Sequence, residues 1–369
     1  MTAFPKTSKN LSRRGFIGAS ALAPAALMLQ AGEAHAAAST RAQLAAVHSG
    51  SPAHQLLYKT DEFFIAHRGA GNISPEHTAY AYAESVRRGA LAVEISVRTT
   101  SDGQFVCMHD TNIKRTTGAA LDVRGHTLAE LRQHKVDMRK NLGEKIGLYD
   151  IPTLEEAIAA VDAVPAGGEY ASVGGKKVVL FLEAKDGPAQ AGLVKFITDR
   201  GLQRRTVIKM YRDGNGGFKP TSRYLKLANS AGCATWCYFD GGDPIDKISA
   251  MARHENVDAI GVPYYEKPTG ASQGSMSEEN VRALTGLGKA VIVWEIHRRS
   301  AYEKYKALGV KGFMCPDPYW VIGDPFDASV KIKTGQRPHG MLPADPSVAA
   351  DMPDLTGAAI VHNQRYDES

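Results

Sequence analysis

Apolar residues along this chain gather in short runs, and most runs are followed by a stretch whose apolar positions recur at helical spacing. The runs read FFIAHRG (63–69), ALAVEISV (90–97), VVLFLEA (178–184), TVIKMY (206–211), CATWCYF (233–239), AIGVPYY (259–265), AVIVWEI (290–296) and GFMCPD (312–317). Helical pattern covers 76–88, 153–161, 188–199, 221–230, 244–254, 277–287 and 300–308. Strand and helix alternating eight times over about 255 residues predicts a (β/α)8 barrel, with a doubly wound open sheet as the alternative.

One interval breaks the rhythm. Residues 98–152 hold a further short strand, GQFVCMHD, and a polar stretch containing glycine. On a barrel this is an insertion after the second strand, at the C-terminal face where active sites are built. Asp102-Gly103 reads as a turn. The barrel is expected over 61–324, after a polar lead-in at 37–60. An irregular tail rich in Pro, Asp and Gly follows at 325–369.

The first 36 residues are not expected to join the fold. Ser12-Arg13-Arg14-Gly15-Phe16-Ile17 sets two arginines before an Ala-rich apolar run, and Ala34-His35-Ala36 offers small residues for cleavage. This is the pattern of a twin-arginine export signal, which implies a periplasmic or extracellular protein that crosses the membrane folded. The run is short and broken by Pro24, and no later stretch approaches the ~20 apolar residues of a membrane span. The whole chain carries a net charge of +5. The leader accounts for most of it, leaving about +2 and no basic run to suggest nucleic acid. Cys107, Cys233, Cys237 and Cys315 each lie in an apolar segment without zinc-site spacing, and are expected as buried thiols.

Unusual polar residues collect at the predicted strand C-termini, where barrel chemistry sits. The first strand ends in His67-Arg68-Gly69, the second carries Glu94 and Ser96, the third ends with Glu183 and Lys185, and the seventh with Glu295 and His297. Each pair is two residues apart and so shares one side of its strand. His109-Asp110 closes the extra strand. Carboxylates offer oxygen ligands for Mg²⁺ or Ca²⁺, Arg and Lys bind phosphate, and two histidines can act as general acid and base about a phosphorus atom. The expected partner is a small-molecule phosphodiester.

The same residues resemble the glycerophosphodiester phosphodiesterase family. The resemblance runs through His67-Arg68-Gly69, Pro75-Glu76-His77-Thr78, Glu94-Ile95-Ser96-Val97, Thr100, Asp102-Gly103, His109-Asp110, Arg115-Thr116 and Glu183-Ala184-Lys185. It continues more weakly through Trp294 and Asp317-Pro318. It implies a (β/α)8 barrel with a small insertion after the second strand, and hydrolysis of glycerophosphodiesters to glycerol 3-phosphate and an alcohol. By resemblance, His67 and His109 are the acid/base pair, Arg68 and Lys185 contact the phosphate, Glu94 and Glu183 bind a divalent metal, and Glu76 orients site residues or closes a loop. The nucleophile is water or a substrate hydroxyl.

Two positions depart from the family pattern: His77 stands for Asn, and Ser96 for an Asp that is normally a metal ligand. Losing that carboxylate leaves three readings: Ser96 or its water completes the metal site, another carboxylate replaces it, or the usual substrates are no longer cleaved. Glu295 is the candidate replacement, expected to balance the site at the metal or through Lys185. The competing functions are a lyase-type phospholipase and a non-catalytic barrel that binds phosphorylated glycerols or envelope polymers.

Overall fold

The computed structural model describes residues 50–142, 146–166, 174–265, 274–297, 299–318 and 321, with only the backbone of Asn141. The leader at 1–36 and the tail at 325–369 lie outside the described residues. Eight parallel strands form the barrel: β1 (Phe63–Ala66), β2 (Ala92–Thr99), β4 (Val179–Ala184), β5 (Thr206–Tyr211), β6 (Ala234–Tyr238), β7 (Ala259–Pro263), β8 (Ala290–Trp294) and β9 (Gly312–Cys315). β3 (Phe105–Cys107) lies antiparallel to β2, with Val97 opposite Cys107. Neighbours run β1-β9-β8-β7-β6-β5-β4-β2, and pairing of β1 with β2, Ala66 opposite Val93, joins the two ends. That pairing closes the sheet, so the barrel reading holds and the open sheet does not.

The crossovers carry helices α1 (Ala79–Arg87), α2 (Leu154–Asp162), α3 (Gln190–Asp199), α4 (Arg223–Ser230), α5 (Ile245–Arg253), α6 (Glu278–Thr285) and α7 (Arg299–Ala307). Their starts follow from local chemistry. Thr78 accepts from the Ala81 N–H at the head of α1, and Thr153 with Glu156 forms a capping box at α2.

Strand alternation sorts the side chains into two cores. Phe64, Ala66, Val93, Ile95, Val97, Leu180, Leu182 and Ile208 face outward against the helices. Phe63, Ile65, Ala92, Val179, Phe181, Val207, Trp236 and Ile292 fill the barrel interior. Ala53, Leu56 and Leu57 belong to that interior cluster and pack where the strands begin. They come from Pro52–His54 and Gln55–Lys59, two short helical turns in the stretch expected as a polar lead-in. Their apolar residues share one face of those turns and cover the barrel floor.

The insertion after β2 has its own small core of Val106, Met108, Ile113, Val123, Leu131, Val136, Met138, Leu142 and Ile151. Asp102-Gly103 forms the hairpin turn, with Gly103 at φ 78°. The backbone of the insertion is tied to the barrel where Met108 N–H donates to the Ser96 carbonyl at 3.0 Å, and its two ends are joined where Cys107 N–H donates to the Pro152 carbonyl at 2.9 Å. All four cysteines are free thiols and buried. No helix of the described residues is long and apolar enough to cross a membrane.

Gly261 on β7 is the tightest point of the interior. A Cβ there would lie 2.5 Å from both Trp236 Nε1 and Tyr238 Cβ, so the large aromatics of β6 depend on this glycine. Gly261→Ala is expected to destabilise the barrel by about 1–3 kcal/mol, read from the midpoint of urea denaturation.

Candidate active site

The interior of the barrel changes from apolar to charged toward the strand C-termini. Glu94 and Ser96 continue the inward series begun by Ala92, Glu183 continues that of Val179 and Phe181, and Lys209 that of Val207. Register brings Ser96 opposite Glu183 and Lys209 opposite Trp236. These side chains meet. Lys209 Nζ lies 2.8 Å from Glu183 Oε2 and 3.4 Å from Glu94 Oε1. Ser96 Oγ donates to Glu94 Oε1 at 2.8 Å, and the Arg68 backbone N–H donates to Glu94 Oε2 at 3.1 Å. Glu183 Oε1 accepts from the Tyr238 hydroxyl at 2.7 Å and from Lys185 Nζ at 3.4 Å.

Both predicted acid/base histidines are held by a carboxylate at Nδ1. His67 Nδ1 is 3.1 Å from Glu295 Oε1, and its Nε2 is 3.9 Å from Glu94 Oε2. His109 Nδ1 is 2.9 Å from Asp110 Oδ1. A carboxylate only accepts, so each contact favours the tautomer with its proton on Nδ1 and leaves Nε2 for chemistry. Glu295 also contacts His297, Oε2 to Nε2 at 3.4 Å. Among the described residues Glu295 contacts these two histidines, through Oε1 and Oε2. The β8 exit directs the carboxylate toward the turn after β1, while Lys185, just past the end of β4, lies 3.4 Å from Glu183.

A chain of ion pairs joins the insertion to the first turn. Asp110 Oδ2 accepts from Arg115 Nε at 2.7 Å, and Arg115 grips both oxygens of Glu76 at 2.6 Å. Glu76 Oε1 also lies 3.4 Å from Arg68. Glu76 therefore links Arg68 to the insertion that delivers His109. His77 takes a positive φ of 56°, a conformation that Asn and His tolerate better than most residues, which explains why one can stand for the other. Its ring faces the Tyr82 hydroxyl at 2.5 Å through Nδ1.

Burial and charge compete at each group. Burial pulls His109 well below the ordinary histidine value, and Arg68 and Lys185 add to this, so it is neutral at neutral pH. Burial likewise lowers His77 to about 3. For Glu94 burial acts upward, but Lys209 and His67 outweigh it and hold the carboxyl below the usual range. Glu183, with burial opposed by Lys185 and Lys209, falls to about 2. The two lysines diverge: burial lowers Lys185, whereas for Lys209 Glu183 and Glu94 overcome burial and raise it.

A divalent cation requires about six oxygen ligands with lone pairs turned toward it. Glu94 and Glu183 do come together, as a shared cation would need. Glu94 accepts from Ser96 and the Arg68 N–H and Glu183 Oε1 from Tyr238 and Lys185, while Glu183 Oε2 accepts no hydrogen bond and has the Lys209 ammonium 2.8 Å away, with that ammonium also 3.4 Å from Glu94 Oε1. Among the described residues no three His, Cys, Asp or Glu side chains are arranged to hold a metal ion. Glu295 engages His67 and His297 instead of completing such a set. As arranged, these donors do not fit Mg²⁺ or Ca²⁺.

Strand ends pointed to His67, Arg68, Glu94, Ser96, Glu183, Lys185 and Glu295, and the structure places them about one mouth with His109 and Glu76. Lys209 and Tyr238 escaped that reading. Both are single polar or amphipathic residues inside apolar strands, and the signal was the inward phase of Lys209, two residues after Val207.

Comparison with known proteins agrees with this geometry. The model of the glycerophosphoryl diester phosphodiesterase family matches residues 67–207. A glycerophosphodiester phosphodiesterase of Caldanaerobacter subterraneus is 25% identical over 264 residues, 70% of this chain and 95% of that protein. One of Bacillus subtilis is 34% identical over 101 residues, 26% of this chain and 34% of the relative. The structure of an Oleispira antarctica phosphodiesterase in complex with the product sn-glycerol-3-phosphate has the same fold, with TM-score 0.53 and 19% identity over 70% of this chain and 94% of that one. With its motifs in order around one barrel mouth, the chain is similar to the glycerophosphoryl diester phosphodiesterase family over residues 67–207 and has the barrel fold of its solved relatives.

Proposed function

We propose that this chain hydrolyses glycerophosphodiesters to glycerol 3-phosphate and an alcohol, with His67 and His109 as its acid/base pair. The observation that carries the reading is that both histidines reach the same mouth, each held at Nδ1 by a carboxylate, beside Arg68 and Lys185. The names of the relatives and the product bound to the Oleispira phosphodiesterase support the substrate class.

The roles follow from the surroundings. Lys185, whose side chain is more open than that of Lys209, and Arg68 receive the phosphoryl oxygens. His109, kept neutral by burial, accepts the proton of the attacking hydroxyl, from water or from the substrate, and His67 delivers a proton to the departing alkoxide. Glu295 orients the His67 ring through Nδ1 and sets a carboxylate beside the imidazolium that gives up this proton from Nε2. Asp110 does the same for His109, and Arg115 with Glu76 fixes Asp110 in turn. A twin-arginine leader supports export as the setting of this activity.

Purified protein is expected to release glycerol 3-phosphate from glycerophosphocholine or glycerophosphoethanolamine, measured by a coupled dehydrogenase assay. His67→Ala and His109→Ala should each lower kcat by about 10²–10⁴-fold, and an unchanged rate in either removes that histidine from the mechanism. Since a base must be deprotonated to act and His109 is shifted downward, the acid limb of the pH profile of kcat/KM should lie below about 6.5. Glu295→Gln should cost about 10²-fold in kcat with little change in KM, because a neutral amide neither orients nor charge-balances the His67 imidazolium but still admits substrate.

A further inference from the structure

The ammonium of Lys209 lies where two carboxylates from neighbouring strands converge, 2.8 Å from Glu183 and 3.4 Å from Glu94. This is the bridging position that a cation shared by those carboxylates would take. The lysine is built into the barrel: its Nζ lies 5.5 Å from the ring of Trp236 and 5.1 Å from that of Tyr238, and the residue is 6% exposed. Ser96, which stands where a third carboxylate is expected, carries no charge and spends its proton on Glu94.

Charge reaches the same answer independently. Glu94 and Glu183 supply two negative charges, and Lys209 and Lys185 supply two positive ones. The cluster is neutral as it stands. A divalent cation set between the same two carboxylates would lie against the Lys209 ammonium, like charge beside like charge in a buried space.

We infer that the ammonium of Lys209 stands in the place of a divalent cation, so that phosphodiester hydrolysis by this chain requires no metal. The fixed positive charge of Lys209, with those of Lys185 and Arg68, supplies the electrostatic stabilisation of phosphoryl oxygens. Deprotonation of the nucleophile falls to a histidine. The oxygen of the nucleophile bonds to phosphorus, the bond from phosphorus to the alcohol oxygen breaks, one histidine takes the proton and the other gives one to the alkoxide. No redox partner enters. The catalytic part of this inference rests on the hydrolase reading above, whereas the cation-binding part does not.

The test compares wild type with the double variant Ser96→Asp/Lys209→Ser, which adds a carboxylate and removes the ammonium. Thermal unfolding with and without Mg²⁺ or Ca²⁺ reads cation binding directly, and glycerophosphocholine turnover with and without EDTA reads dependence. For wild type we expect no saturable rise in melting temperature with either cation and less than about a twofold change of rate in EDTA. The double variant should gain a saturable rise in melting temperature. A wild-type melting temperature that rises with either cation, or wild-type activity lost in EDTA and restored by Mg²⁺ or Ca²⁺, overturns the inference. So does a folded double variant that gains no cation binding. If wild type cleaves no glycerophosphodiester but the melting temperatures behave as expected, the hydrolase reading fails and the assignment of Lys209 as the site's cation stands.

Discussion

Closure of the sheet is the constraint from which the rest follows. Once β1 pairs with β2, every second residue of each barrel strand must share one enclosed volume, and none can turn to solvent at a sheet edge. Near the floor that volume is filled by Phe63, Val179, Phe181 and Trp236. Nearer the mouth the same phase presents Glu94, Ser96, Glu183 and Lys209. Buried charges in such a space have to answer one another. The site is thus a solution to a packing problem as well as a chemical one: each carboxylate on β2 and β4 has a lysine within reach.

Two further elements are laid over this mouth, and their attachments differ. The turn after β1 brings His67 and Arg68 and is stapled to β2 by the Arg68 N–H on Glu94. The insertion folds about its own small apolar core and brings His109, Asp110 and Arg115. Glu76 joins the two, with its oxygens shared between Arg115 and Arg68. Positioning of the two histidines therefore depends on contacts distant in sequence, which is why no local stretch of the chain holds a complete site.

Much of the fold was legible because strand and helix periods alternate clearly, and every expected barrel strand from FFIA to GFMC is present. Motif residues at strand ends were legible for the same reason: a polar pair two apart in an apolar run has only one place to go. The lead-in hid its role because Leu56 and Leu57 follow no long period, and only the finished barrel supplies the floor they cover. Lys209 was obscured by its apolar neighbours, since a lone lysine in TVIKMY gains meaning only when Glu94 and Glu183 are known to lie across from it. Glu295 was noticed, but its partner was not, because His67 and residue 295 meet only where the last strands return to the first.

The four cysteines have a consequence outside the active site. Cys107, Cys233, Cys237 and Cys315 are buried and unpaired, and burial raises each thiol above its ordinary value, so none presents a reactive thiolate. The barrel takes no cross-link from its surroundings and offers none. Its architecture therefore depends on neither an oxidant nor a reductant to form.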